Sequence, residues 1–339
     1  MSKFRYGSVC SGIEAATAAW HPLGWEPAFF SEIEPFPRAV LAHHYPDVPL
    51  HGDFTTIEGD EYGAIDLLVG GTPCQSFSVA GLRGGLDDDR GNLALEFLRL
   101  ADRTRPRWLV WENVPGVLSS NGGRDFGAIL GGMVELGYGF AYRVLDAQYF
   151  GVAQRRRRVF VVGYLGDTTR AAAVLFERHS LQGHPAPCRE KGKDVAGTIA
   201  ARFGISRNNH EELTLAKTLM ARNGCGGFDL DSETAVVQTW PAKITPTLNA
   251  HFGSKMGLEN QHINGGCGLF VPDHSQVRRL TPIECERLQG FQDNFTRISW
   301  RNKSADDCPD GPRYKALGNS MAVPVMRWIG ERIKKVEEL

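Results

Sequence analysis

Tyr6-Gly7-Ser8-Val9-Cys10-Ser11-Gly12-Ile13-Glu14-Ala15-Ala16-Thr17-Ala18-Ala19-Trp20 opens as a short apolar run, turns at a glycine and continues with helix formers. Tyr6–Cys10 reads as a strand buried on both faces and Ile13–Trp20 as a helix following it. The alternation recurs. Ala28–Phe30, Ile65–Val69, Trp108–Trp111 and Val159–Val162 are strand-like, while Phe36–His44, Leu93–Ala101 and Phe126–Leu136 are helix-like. Strand and helix alternating over about 160 residues predict an α/β fold with a doubly wound, mostly parallel sheet. Ligands of such sheets sit beyond the carboxyl ends of the strands. The segments of chemical interest are therefore Ser11-Gly12, Ser31-Glu32, Gly70-Gly71-Thr72-Pro73-Cys74 and Glu112-Asn113.

The 339 residues suit two domains, or one large domain with an insertion. With 42% hydrophobic and 23% charged residues, the disordered and collagen-like classes are excluded. No apolar run approaches a membrane span, and Met1-Ser2-Lys3-Phe4-Arg5 lacks the apolar stretch of a signal peptide. A cytoplasmic protein without membrane contact is expected. Seven cysteines, an odd number with no Cys-x-x-Cys pair, argue against a disulfide framework or a zinc knuckle and for free thiols without a metal site. Lys+Arg number 38 against 39 Asp+Glu, a net charge of -1. A polyanion would have to be held by a local patch.

From 167 to 277 the periodicity fades and Gly, Asn, Thr and His rise. Three segments there share the form Thr-(Ile/Leu)-x-Ala-(Arg/His)-x-Gly: Thr198–Gly204, Thr218–Gly224 and Thr247–Gly253. Each reads as a short strand ending in a glycine turn with Arg202, Arg222 or His251 at its tip; chance in a Thr/Ala/Gly-rich stretch is the alternative. Order returns after Arg278. Thr281-Pro282-Ile283-Glu284 heads a short helix through Leu288, 300–313 reads as a loop, and Val323–Glu337 as an amphipathic final helix.

Three motifs carry chemistry. In Gly70-Gly71-Thr72-Pro73-Cys74-Gln75-Ser76-Phe77-Ser78, two glycines and a proline after a buried strand project a thiol from the sheet edge. Cys74 is either a nucleophile, once something favours its thiolate, or a buried structural cysteine. The glycine-rich stretch after it, with Asp87-Asp88-Asp89-Arg90, reads as a loop able to close over a substrate. In Trp108-Leu109-Val110-Trp111-Glu112-Asn113-Val114-Pro115, a carboxylate ends an apolar strand; poor solvation should raise its pKa and make it a proton donor near neutrality. A cap or a salt bridge is the other reading. In Gln154-Arg155-Arg156-Arg157-Arg158, alternation puts Arg156 and Arg158 on one face and Arg155 and Arg157 on the other; a solvated basic run or phosphate contacts is the default.

Taken together, the chain resembles a DNA cytosine-5 methyltransferase of the bacterial and phage type. The family's motifs occur in order: Ser8-Val9-Cys10-Ser11-Gly12, Ser31-Glu32-Ile33-Glu34, Gly52-Asp53-Phe54, Pro73-Cys74-Gln75, Glu112-Asn113-Val114, Gln154–Arg158, Arg278–Phe291 and Gly318–Val325. The chain departs from the family at the first of them. Ser8 stands where the family has Asp, and Glu14 where it has a second glycine. The Glu14 side chain is expected to turn outward, leaving backbone amides near the helix N-terminus for the cofactor carboxylate.

The resemblance implies a Rossmann-like catalytic domain over 1–166, a smaller, irregular, mostly β target-recognition domain over 167–300 with 167–277 as its variable part, and a return to the catalytic domain over 301–339. It implies S-adenosyl-L-methionine as cofactor and duplex DNA as partner, with no obligate protein partner and a monomer expected. The implied catalytic residues are Cys74, Glu112, Arg156 and Arg158, with Arg156 supporting the site and nearby phosphates. Cys10, Ser11, Gly12 and Ile13 would surround the methionine portion, Glu32 the ribose, Ile33 the adenine face and Asp53 the adenine amino group, with Pro73 and Asn319 completing the pocket. Gln75, Ser78, Arg90 and Gln154 would meet DNA, and Arg202, Arg222 and His251 would read bases. The activity expected is methylation of cytosine carbon 5 in a specific duplex sequence, through an extruded base and a transient Cys74 bond at carbon 6. A tRNA cytosine methyltransferase and a non-catalytic DNA-binding relative are the alternatives. The wording of Ser8–Trp20 and Ser31–Asp47 is more like phage or prophage solitary enzymes than restriction–modification partners.

Overall fold

The computed structural model describes residues 3–73, 92–176, 270–273 and 276–339. Its centre is a seven-stranded sheet. In chain order the strands are β1 (Arg5–Val9), β2 (Glu26–Ser31), β3 (Leu50–His51), β4 (Leu67–Gly70), β5 (Trp108–Asn113), β6 (Tyr138–Asp146) and β7 (Arg157–Leu165). They lie side by side as β3-β2-β1-β4-β5-β7-β6. Pairings from β3 through β5 are parallel, while β7 runs antiparallel to both β5 and β6. The mostly parallel, doubly wound sheet read from the sequence is therefore present. The β6–β7 hairpin at its edge was not read, because β6 mixes buried and half-exposed positions without a continuous apolar run.

The chain leaves β1 toward β2 on one side and returns to β4 on the other, so a crevice opens between the carboxyl ends of β1 and β4. Apolar layers cover both faces. Helices α1 (Ala15–Trp20), α2 (Pro35–His44), α5 (Thr168–Leu175) and the final helix, Val323–Glu337, pack one face; α3 (Leu93–Thr104) and α4 (Arg124–Glu135) pack the other. Trp20 anchors α1 to the final helix by donating Nε1–H to the Met326 carbonyl at 2.7 Å.

Helix α6 (Pro282–Gln289) begins where the sequence predicts, and Thr281 and Glu284 exchange hydrogen bonds there in a complete capping box. Helix α7 (Asp310–Asn319) occupies part of a stretch expected to be loop, and α8 is the final helix. Leu280, Cys285, Phe291 and Ile298 share one core with α1 and α8. Among the described residues the expected break at 300 is therefore absent, and the chain has rejoined the catalytic core by 280. Two strands, β8 (Phe270–Asp273) and β9 (Gln276–Arg279), pair as a separate hairpin just before it.

Candidate active site

The crevice is built from strand ends. Val9 pairs with both Ser31 and Gly70, and Gly70 pairs with Trp111, so the segments singled out in the sequence emerge side by side. Because β7 is antiparallel to β5, its first residues join them: Asn113 pairs with Val159 and Glu112 with Phe160. Arg158 thereby arrives next to Glu112. Its Nε lies 2.9 Å from Glu112 Oε1, with both side chains nearly buried at 14% and 12% exposure. Burial raises the Glu112 pKa, while the charges of Arg158 and Arg156 act against the rise. Glu112 thus combines both sequence readings, a poorly solvated acid and a salt-bridge partner.

The approach to Cys74 is fastened to the same strand. Trp111 Nε1 donates to Thr72 Oγ1 at 2.9 Å and Asn113 Nδ2 to the Thr72 carbonyl at 3.0 Å. A Cβ on Gly71 would lie 3.0 Å from Glu112 Oε2 and from the Met321 side chain, so any larger residue here makes the carboxylate or Met321 shift by a few tenths of an ångström. Thr72 and Asn113 were not read as positioning groups, since only the tertiary pairing of β4 with β5 makes them so. Cys74, Gln75, Ser78 and Arg90 lie outside the described residues, as do Arg202, Arg222 and His251.

The arginine run alternates as expected: Arg155 and Arg157 are exposed, Arg156 is buried and Arg158 half-buried. The phosphate role expected for Arg156 is corrected. Its guanidinium is 2% exposed and donates through Nη2 to the carbonyls of Gly318 at 3.1 Å and Ser320 at 2.7 Å. It straps the segment carrying Asn319 to the catalytic sheet. Burial and the neighbouring Arg158 bring its pKa down to about 9, still charged at neutral pH. Gln154 is corrected as well. It is fully buried rather than presented to DNA, and its amide meets no partner among the described residues.

On the other side, Ser8, Cys10, Ser11, Gly12, Glu14, Gly71, Glu112, Asn319 and Met321 line a narrow recess. The turn after β1 takes positive φ at Cys10, Gly12 and Glu14. Ser11 ties it to β2, its N–H donating to the Ser31 carbonyl. Cys10 is a held thiol rather than a thiolate: burial, then Glu32 and Asp53, push its pKa up to about 12. Ile13 departs from its assignment, because its side chain is fully buried in the core. Glu32 accepts from Gly12 N–H at 2.7 Å and from the N–H groups of Ile33 and Glu34 at 2.8 Å. A carboxylate has about four acceptor positions, which leaves room for a ligand hydroxyl. Ile33, 66% exposed, offers an apolar platform beside it. Asp53 caps a 3-10 turn through Thr55 N–H, exposed Asn319 lines the recess, and Pro73 is exposed. An apolar platform flanked by two acidic acceptors, with a polar recess beyond, fits a nucleoside carrying an amino-acid tail.

Glu14 is the largest correction. Its side chain turns inward and is 1% exposed. Oε2 accepts from Ser8 Oγ at 2.8 Å and Oε1 from Thr17 N–H at 3.1 Å. The helix-end amide foreseen for a ligand carboxylate is satisfied internally. The two departures from the family pattern are thus bonded to each other, a pairing visible in the sequence only as two coincident exceptions.

Among the described residues no helix is long and apolar enough to cross a membrane, and no cluster of three metal-ligating side chains occurs. Cys10, Cys285 and Cys308 are free thiols.

Residues 4–335 match the family described as C-5 cytosine-specific DNA methylase. A phage P1 protein named "DNA N-6-adenine-methyltransferase" is 36% identical over 99% of this chain and 62% of its own length. The "Orphan methyltransferase M.SPRI" of Bacillus phage SPR is 36% identical over 97% of each chain. Among solved structures, the S. pombe Dnmt2 methyltransferase superposes over 98% of this chain and 99% of its own with a TM-score of 0.62 at 17% identity, a likeness of fold.

Proposed function

Since this chain belongs to the C-5 cytosine-specific DNA methylase family, we propose that it methylates carbon 5 of cytosine within a specific duplex DNA sequence, using S-adenosyl-L-methionine. The observation that carries the reading is the buried Glu112–Arg158 pair packed against Gly71, three residues before the candidate nucleophile.

Carbon 5 of cytosine is too weak a nucleophile to take a methyl group unaided. Addition of the Cys74 thiolate at carbon 6 turns the ring into an enamine-like nucleophile, dividing one hard step into easier ones. Glu112 would hand its proton to ring nitrogen 3 as the thiolate adds, so that negative charge does not build on the ring. Arg158, fixed by that same carboxyl, would donate to oxygen 2 of the base. Bound S-adenosylmethionine supplies an electrophilic methyl group, with Ile33, Glu32 and Asp53 holding its adenosine and the recess at Cys10–Glu14 and Asn319 its amino-acid end. A base then removes the carbon-5 proton, the electrons expel Cys74 as thiolate, and Glu112 recovers its proton. The target must leave the duplex for these contacts, at a cost of a few kcal/mol.

The phage P1 relative's name points instead to adenine N6. Methylation of an exocyclic amine needs no thiol adduct, and the Pro73-Cys74 and Glu112-Asn113 pairing favours cytosine. The match of M.SPRI over nearly its full length supports a solitary phage-type role. Nucleoside mass spectrometry and bisulfite sequencing of plasmid DNA from a bacterial host expressing the chain test the reading. 5-Methylcytosine at one sequence is expected, absent with Cys74→Ala. N6-methyladenine or methylated tRNA in its place refutes it.

A further inference from the structure

We propose that Glu14 is a positioning residue for the methyl donor: its carboxyl, held at the head of α1 by Ser8 and Thr17, is the counter-charge for the ammonium of the amino-acid end. This rests on the S-adenosylmethionine reading above. Glu14 lines the recess together with Cys10, Ser11, Gly12 and Asn319, yet no Lys, Arg or His pairs with it among the described residues. The groups facing it are Ser8 and Tyr6 from β1, Ser11 from the turn, Thr17 from α1 and Tyr45 after α2. Burial holds both tyrosine hydroxyls in the neutral form. Glu112 also lines the recess, where Arg158 already holds it.

A buried carboxyl without a cation is unfavourable. It also occupies a φ of +64°, where most side chains are disfavoured. The first of these penalties is explained when the ligand brings the missing charge. Ser8, Ser11 and Thr17 all hydrogen-bond the carboxyl, yet none of them supplies a balancing charge. Because Glu14 itself takes Thr17 N–H, the recess favours a cation over an anion. Burial pushes the pKa of Glu14 up to about 7, so the free protein exchanges its charged and neutral forms near neutrality.

The test compares the full chain with Glu14→Gln by calorimetric binding of S-adenosylmethionine, S-adenosylhomocysteine and 5′-methylthioadenosine, which lacks the amino-acid end. At pH 8 the variant should bind the first two about tenfold more weakly and the third within about twofold, the size of one lost charge-assisted contact. Below pH 7 the wild-type carboxyl becomes neutral, so at pH 6 the deficit should shrink to about threefold or less. Equal weakening of all three ligands, a deficit independent of pH, or no deficit overturns the proposal. The double variant Ser8→Asp/Glu14→Gly moves the acid to the other end of the same hydrogen bond and places glycine at the positive φ. It should bind S-adenosylmethionine within about threefold of wild type. If it folds with an unchanged thermal midpoint and still rejects only the two amino-acid ligands, the proposal also fails. Wild-type protein that binds none of the three refutes the S-adenosylmethionine reading itself.

Discussion

Replacing Arg156 with methionine separates the role seen in the fold from the one expected from a basic run. The guanidinium makes two charge-assisted bonds to the Gly318 and Ser320 carbonyls, worth about 1.5–3 kcal/mol each. Against them stands the desolvation of a side chain only 2% exposed. Methionine fills similar space and removes that penalty, so the net loss should be about 2–4 kcal/mol. For a chain of this size that is several degrees in thermal midpoint, at about 2 °C per kcal/mol. The two freed carbonyls flank Asn319, so donor affinity should fall with stability. The Arg156 charge also lowers the Glu112 pKa. Without it that pKa rises, and a rate requiring protonated Glu112 should persist to higher pH, moving the alkaline limb of the kcat/KM profile upward. Thermal unfolding, calorimetric donor binding and the pH profile of methyl transfer measure these effects. A variant as stable as wild type that loses only salt-dependent DNA affinity would refute the strap and restore the phosphate-contact reading.

Other perturbations probe separate parts of the structure. Gly71→Ala should lower methyl transfer at least about tenfold in a folded protein, because its Cβ would crowd Glu112 Oε2 and Met321; transfer assays alongside circular dichroism check this. Arg313→Met strands Glu286, fully buried and 3.2 Å away, and should cost about 3–5 kcal/mol in urea unfolding, whereas Arg313→Met/Glu286→Leu should cost clearly less than the sum of its singles. Thr281→Ala removes the capping box of α6 and should cost about 1 kcal/mol by the same measurement.

The sequence by itself determined the alternation of strand and helix, and with it the sheet and the edge where chemistry gathers. Period and burial are local properties: five apolar runs and the Thr-Pro start of a helix declare themselves within a few residues of chain. The order of motifs likewise disclosed the family and marked Glu112 and Arg158 as candidates. What only the tertiary structure decided is who faces whom. Arg158 meets Glu112 because β7 runs antiparallel to β5, a direction that no local pattern encodes. Arg156 turns from an expected phosphate contact into an internal strap because Gly318–Ser320, more than 160 residues later, returns beside it. Glu14 folds inward because Ser8 and Thr17 offer hydrogen bonds on either side of the turn. Each of these is a choice between solvent and a partner distant in the chain or across a turn, settled by packing.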